Sequence, residues 1–155
     1  MRAVDSQVEQ TLADLQASQR QLTEALRSVA GRQDWRPAPE EWSFREIAAH
    51  LEACQRECII VRLQAIASGN HPAFEFYWNT GRDFGPVDLR DSVRTWAETR
   101  SQVAQFVRGL SPEQLRHTGQ HKTFGEITIH QYLKVDLEHD QEHLVDLERS
   151  LLAAN

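Results

Sequence analysis

From Val4 to Val29 the apolar positions Val4, Val8, Leu12, Leu15, Leu22, Leu26 and Val29 recur at spacings of three, four and seven, the period of a helix with one buried face. Gly31 ends that helix, and Pro37 and Pro39 keep the segment from Arg32 to Glu41 out of regular helix. A second helix is predicted from Phe44. Ser43 and Glu46 have capping-box spacing before it, and Trp42 stands where a hydrophobic staple forms. Its apolar stripe is Phe44, Ile47, Leu51, Cys54, Cys58, Val61 and Ala65, and it stops before Gly69 and Pro72.

The stretch from Gly69 to Asp88 has no clean period, yet it carries Phe74, Phe76, Tyr77, Trp78 and Phe84. Connections of this length tend to be lids or binding loops; a satellite cluster sealing one end of the fold is the equal alternative. Asp91 or a neighbour opens a third helix with Val93, Trp96, Ala97, Val103, Ala104, Val107 and Leu110 at helical spacing. Ser111, Pro112 and Gln114 predict one short extra turn, followed by an irregular stretch from Thr118 to Gly125. Thr128 and Gln131 form another capping box, and a fourth helix runs from Ile129 to about Leu152. Strand signals are poor. Four amphipathic helices predict an all-α fold, a four-helix bundle with a long loop between helices two and three.

Composition narrows the function more than the fold. The 155 residues suit one domain, taken here as residues 1–155, with 40% apolar and 26% charged residues and few glycines or prolines. A net charge of −6 and the lack of a basic stripe argue against nucleic acid as a partner. Neither a signal-peptide core nor a membrane-length apolar run is present, so a cytoplasmic protein without membrane partners is expected. The two cysteines, Cys54 and Cys58, lie four apart in a helical pattern and are expected to be reduced.

The chemistry lies in the histidines. Seven occur, and two pairs have four-residue spacing, His117 with His121 and His139 with His143. Only the second pair lies inside a clear helix. On a helical wheel His139, His143, Tyr132, Asp136 and Asp140 share one edge of the core face. Carboxylates beside leucines need a cation or hydrogen-bond donors, so Asp136 and Asp140 either snorkel at the rim or serve the histidines. His50 takes the corresponding place on helix two, beside Ile47, Leu51 and Cys54. An i,i+4 pair plus one remote histidine suits a divalent ion, zinc or nickel, with a position left open. Cys54, four residues after His50, is the candidate fourth ligand that would close the shell. Satisfied interior imidazoles are the plain alternative, and spacing alone favours that alternative.

Two segments together resemble the DinB-like superfamily of bacterial four-helix metalloproteins. They are Trp42-Ser43-Phe44-Arg45-Glu46-Ile47-Ala48-Ala49-His50-Leu51, and Gly125-Glu126-Ile127-Thr128 leading to His139-Asp140-Gln141-Glu142-His143. The resemblance spans nearly the whole chain. It implies that His50, His139 and His143 bind the metal in a cleft near one end of an up-down-down-up bundle, and that the protein pairs into a homodimer. It also implies activities that range over hydrolysis and transfer or isomerisation with low-molecular-weight thiols. The string from His139 to His143 echoes the zincin motif too, but with Asp140 where that motif has glutamate, a poorer match.

The expectation is therefore a metal-dependent enzyme acting on a small-molecule substrate, which includes the case of a thiol. The open coordination site would activate water or a thiol. Asp136, Asp140 and Glu57 are the candidate bases. Tyr132 is the candidate donor to a developing oxyanion, or else it caps the core. The rival expectations are a non-catalytic, stress-related bundle that binds metal or a small apolar ligand, and a structural dimer stabilised by its ion.

Overall fold

The computed structural model describes residues 5–155; Val4, the first position of the predicted stripe, lies outside them. Helix α1 (Ser6–Ser28) starts where the Asp5 side chain accepts the Gln7 N–H at 2.7 Å, and a 3-10 turn, Ala30–Arg32, follows it. Helix α2 (Phe44–Cys54) opens on the full capping box of Ser43 and Glu46. Helix α4 (Leu89–Arg108) starts slightly earlier than predicted because Asp88 caps it. The Ser111–Gln114 and Thr128–Gln131 boxes open α5 (Pro112–Arg116) and α6 (Ile129–Ala154). Each box satisfies N–H groups that the first helical turn cannot pair internally.

Between α2 and α3 (Ile60–Ala67) the helix does not break but widens into a π turn, Gln55–Ile59. In an α-helix each four-residue step rotates the side chain by about 40°. The wider turn takes in an extra residue and offsets that drift. His50, Cys54, Cys58 and Arg62 consequently line one cavity. The predicted stripe fails beyond this point for the same reason: Val61 is turned out, 51% exposed, while Leu63 and Ile66 are fully buried.

The fold is the expected helical bundle, but the stretch from Thr118 to Gly125, read as irregular, takes part in a minor sheet. Three short strands, β1 (Ala73–Phe74), β2 (Thr118–His121) and β3 (Gly125–Thr128), form a small sheet in the order β1-β2-β3. β2 and β3 are an antiparallel hairpin, and β1 lies parallel to β2 with Phe74 opposite His121. Two to four residues are too few to show alternation, and β1 pairs with a segment far along the chain. At Gly119 a Cβ would stand 2.9 Å from the Phe74 ring and 3.1 Å from the Pro72 carbonyl, so only glycine lets β2 approach.

α1 packs chiefly on α6, and α2 on α4. The core divides into two apolar clusters, one around Leu12, Leu63, Val103 and Leu133, the other around Leu22, Phe44, Trp96 and Leu147. Each fully buried aliphatic or aromatic side chain contributes about 1.5–3 kcal/mol. Between the clusters α1, the π turn, α4 and α6 contribute polar groups: Ser18, Gln55, Arg100, Asp136 and Asp140, all buried. Arg100 Nη2 stands 2.7 Å from Asp140 and 3.3 Å from Asp136. Gln55 donates to both Asp136 oxygens, and Ser18 donates to Asp140. Burial works against the Arg100 charge, but the two carboxylates together hold its pKa above the ordinary value.

Candidate metal centre

His50 comes from α2, and His139 and His143, one turn apart, come from the facing side of α6. Their Nε2 atoms form a triangle, 3.4 Å from His50 to His139, 3.0 Å from His50 to His143 and 2.9 Å from His139 to His143. Among the described residues, these three form the group whose ligand atoms all lie within 4.8 Å of one another. A tetrahedral ion at about 2.0–2.1 Å from imidazole nitrogens spaces them about 3.3 Å apart. The donor set and its spacing therefore fit a divalent cation. Trp42 covers the group, its ring 4.4 Å from that of His50 and stacked at 6.4 Å on that of His143.

Desolvation by burial pushes His50 down to about 4, only partly offset by its hydrogen bond to Asn79. It pushes His143 down to about 3, with His139 and His50 adding to the effect. Both rings are neutral near pH 7, the form that ligates metal.

The long connection between α3 and α4 sets the tautomer of His50. Buried Asn79 accepts the His50 Nδ1 hydrogen on its Oδ1 at 2.6 Å, which leaves the Nε2 lone pair pointing into the triangle. Asn79 Nδ2 donates to the Tyr77 hydroxyl at 3.1 Å, and that hydroxyl donates to Glu57 at 2.9 Å. Arg82 grips both oxygens of the same carboxylate at 2.7 Å. The Arg82 guanidinium, with the Tyr77 hydroxyl, holds Glu57 at about 2. Glu57 is thus fixed as a support of this chain of bonds.

Cys54 stays outside the triangle. Its Sγ is 3.7 Å from both ring nitrogens of His50, and burial pushes its thiol up to about 12, so it is protonated beside the neutral histidines. Asp136 lines the same cavity, but its oxygens are engaged by Gln55 and Arg100. Asp140, 1% exposed, is engaged by Arg100 and Ser18. Of the two readings of these carboxylates, snorkelling at the rim is therefore excluded; they lie buried in the polar layer that carries α6. Tyr132 lines the cavity one helical stretch away from the triangle, where its hydroxyl accepts from Arg62 at 3.0 Å. The cavity has a volume of about 420 Å³ and runs from His50 and His139 past Cys58 to Arg62 and His121.

A sequence profile of the DinB superfamily matches residues 14–146, a span that includes all three histidines. The chain belongs to the DinB superfamily. Among solved structures, YfiT from Bacillus subtilis superposes with a TM-score of 0.77 at 19% identity, covering 97% of this chain and 91% of that one. That protein is described as "a probable metal-dependent hydrolase with an unusual four-helix bundle topology". At this identity the likeness is one of fold. No match was found among curated protein sequences.

In this DinB-superfamily chain the residues that complete the site are ones the sequence did not single out. Asn79 sits in an aperiodic loop, and nothing in its neighbourhood marks it as the partner of a histidine 29 residues earlier. Arg100 falls at a core position of α4 where a cation is out of place, the one signal that would have pointed to Asp136 and Asp140. His117 bonds the Ala67 carbonyl at 3.1 Å, whereas His121 Nδ1 accepts from the Thr123 N–H of the hairpin turn, so the second four-residue pair does not converge on a common ligand.

Proposed function

We propose that the protein is a metal-dependent enzyme, a hydrolase or a transferase using a low-molecular-weight thiol, with its ion held by His50, His139 and His143. The observation that carries this is the neutral Nε2 triangle, open on one side to a cavity of about 420 Å³ and lacking a fourth protein ligand among the described residues. Zinc or nickel suits three imidazoles, and such an ion, when bound, supplies a Lewis acid that lowers the pKa of a bound water or thiol.

The chain's own residues supply orientation and shielding. Asn79 holds the His50 ring in the ligating tautomer, and Trp42 keeps solvent from the His50 and His143 rings. Asp136 and Asp140, tied to Arg100, act as positioning residues for the turn of α6 that carries His139 and His143. Glu138 and Glu142, each one residue before an α6 histidine, are exposed carboxylates of the cavity lining and take up a proton released there. Tyr132, deeper in the cavity, offers its hydroxyl to substrate.

The test is metal uptake followed by ligand response. The purified chain is expected to bind one zinc or nickel ion per molecule with a rise in melting temperature, and His50→Ala to lose both. The visible spectrum of the cobalt-loaded protein should shift on adding a thiol or a small anion. A spectrum indifferent to both would mean a closed, structural ion and would overturn the catalytic reading.

A further inference from the structure

The cavity has a second polar end, formed by α3, α6 and the β2–β3 hairpin. At the hairpin turn, His121 Nδ1 accepts the backbone N–H groups of Thr123 at 3.0 Å and Phe124 at 3.3 Å. A ring nitrogen that accepts carries no proton, so the single proton of neutral His121 is on Nε2. Burial and the Arg62 guanidinium beside it lower the pKa of this ring, which favours the neutral form.

Arg62 stands against the same ring system. Its Nη1 donates to the Tyr132 hydroxyl at 3.0 Å, its Nη2 donates to the Glu75 carbonyl at 2.8 Å, and its guanidinium lies 5.0 Å over the Phe74 ring. Both acceptors are neutral. The Glu75 carboxylate turns instead to Lys122 at 3.2 Å, and among the described residues no carboxylate pairs with Arg62. The Tyr132 hydroxyl accepts from Arg62 and stands 3.7 Å from the Cys58 Sγ, a weak acceptor from which an oxyanion can take the phenol hydrogen. Its ring lies 6.0 Å from that of His121.

These three side chains thus present the remaining guanidinium N–H groups, an imidazole N–H and a phenol O–H to one end of the cavity, with one formal positive charge and no free anionic acceptor. Donors of that kind in a partly dry site select an oxyanion. The acidic lining residues Asp136, Glu138 and Glu142 all lie further along α6, toward the histidines. Tyr132 and His139 are separated by about 10 Å along α6. The mouth between is apolar, with Phe76, Trp78 and Phe124 each about half or more exposed and Phe76 and Trp78 in contact at 5.5 Å.

We propose that Arg62, His121 and Tyr132 form an oxyanion subsite that holds the carboxylate or phosphate of an elongated substrate. The apolar body of that substrate lies along Phe76, Trp78 and Phe124, and its far end reaches the histidine triangle. The last point rests on the metal-centred reading above; the subsite itself does not.

The experiment is calorimetric titration of the full chain at pH 7.5, metal-free and zinc-loaded, with 4-phenylbutyrate, 4-phenylbutyl phosphate and the neutral 4-phenylbutanol. At least one anion is expected to bind the metal-free protein about tenfold or more tighter than the alcohol. The tighter of the two anions identifies the headgroup. Arg62→Gln, which keeps a donor for Tyr132 but removes the charge, should abolish the preference, and Arg62→Lys should restore part of it, with helical circular dichroism unchanged in both. His50→Ala should leave the preference intact. A chain that takes up no metal but shows this pattern loses the metal reading and keeps the subsite. Equal binding of acid, phosphate and alcohol overturns the subsite. So does a preference that survives Arg62→Gln, or one that appears only with zinc and vanishes with His50→Ala.

Discussion

Asn79 Oδ1 lies 2.6 Å from His50 Nδ1, so a residue of the long loop decides which nitrogen of a core histidine faces the histidine triangle. Loss of such an outer hydrogen bond typically lowers metal affinity by about 10–100-fold. Asn79→Leu is expected to weaken zinc binding by that order, measured by competition with a chelating dye. Asn79→Asp, which keeps the acceptor, should stay within a few-fold of the wild type.

Arg100 brings one positive charge to two carboxylates that are almost completely buried, and burial pushes the Asp136 carboxyl above its ordinary value. Removing one partner of a buried ionic group leaves uncompensated charge and costs about 3–5 kcal/mol. Arg100→Met should lower the urea midpoint by an amount of that order. Asp136→Asn in the same background should recover part of the loss, because it removes a buried carboxyl whose ionised form Arg100 would no longer offset.

The pH dependence of the metal-free protein follows from His50, at about 4, and His143, at about 3, both depressed below the ordinary value of 6.5. The unfolded chain binds protons at these rings below about pH 6.5, whereas the folded chain resists them. The associated stability is present in full above pH 6.5 and is lost as pH falls toward 4 and then 3. For His50 alone the loss amounts to about 3 kcal/mol. Denaturant midpoints measured between pH 7.5 and pH 4.5 should fall, and the slope should be shallower in His50→Phe.

The π turn makes a sharp contrast between two neighbouring apolar residues. Val61 is half exposed and Leu63 is fully buried. Val61→Lys is expected to change stability by less than about 0.5 kcal/mol, and Leu63→Ala to lower it by about 2–5 kcal/mol. Thermal melts of the two variants check this.

What the sequence determined by itself is local or periodic. The capping boxes at Ser43, Ser111 and Thr128 start their helices as read, since the residues that satisfy one another are three apart. The stripes of α1, α4 and α6 and the all-α bundle follow from a 3.6-residue period sustained over twenty residues or more. The grouping of His139 with His143 is equally local. Tertiary structure decided the rest, because the deciding partners are remote in the chain. The π turn changes the period in mid-helix, so residues after Gln55 cannot be assigned to a face by counting from Phe44. The sheet joins Phe74 to His121, a pairing too short and too distant to leave a pattern. Asp136 and Asp140 sit on the ligand edge of α6, yet only the approach of Arg100 and Gln55 from other helices shows where their oxygens are engaged. His50 meets the α6 pair only when α2 packs across from α6, and the atom it presents is chosen by Asn79, from a loop without any period at all.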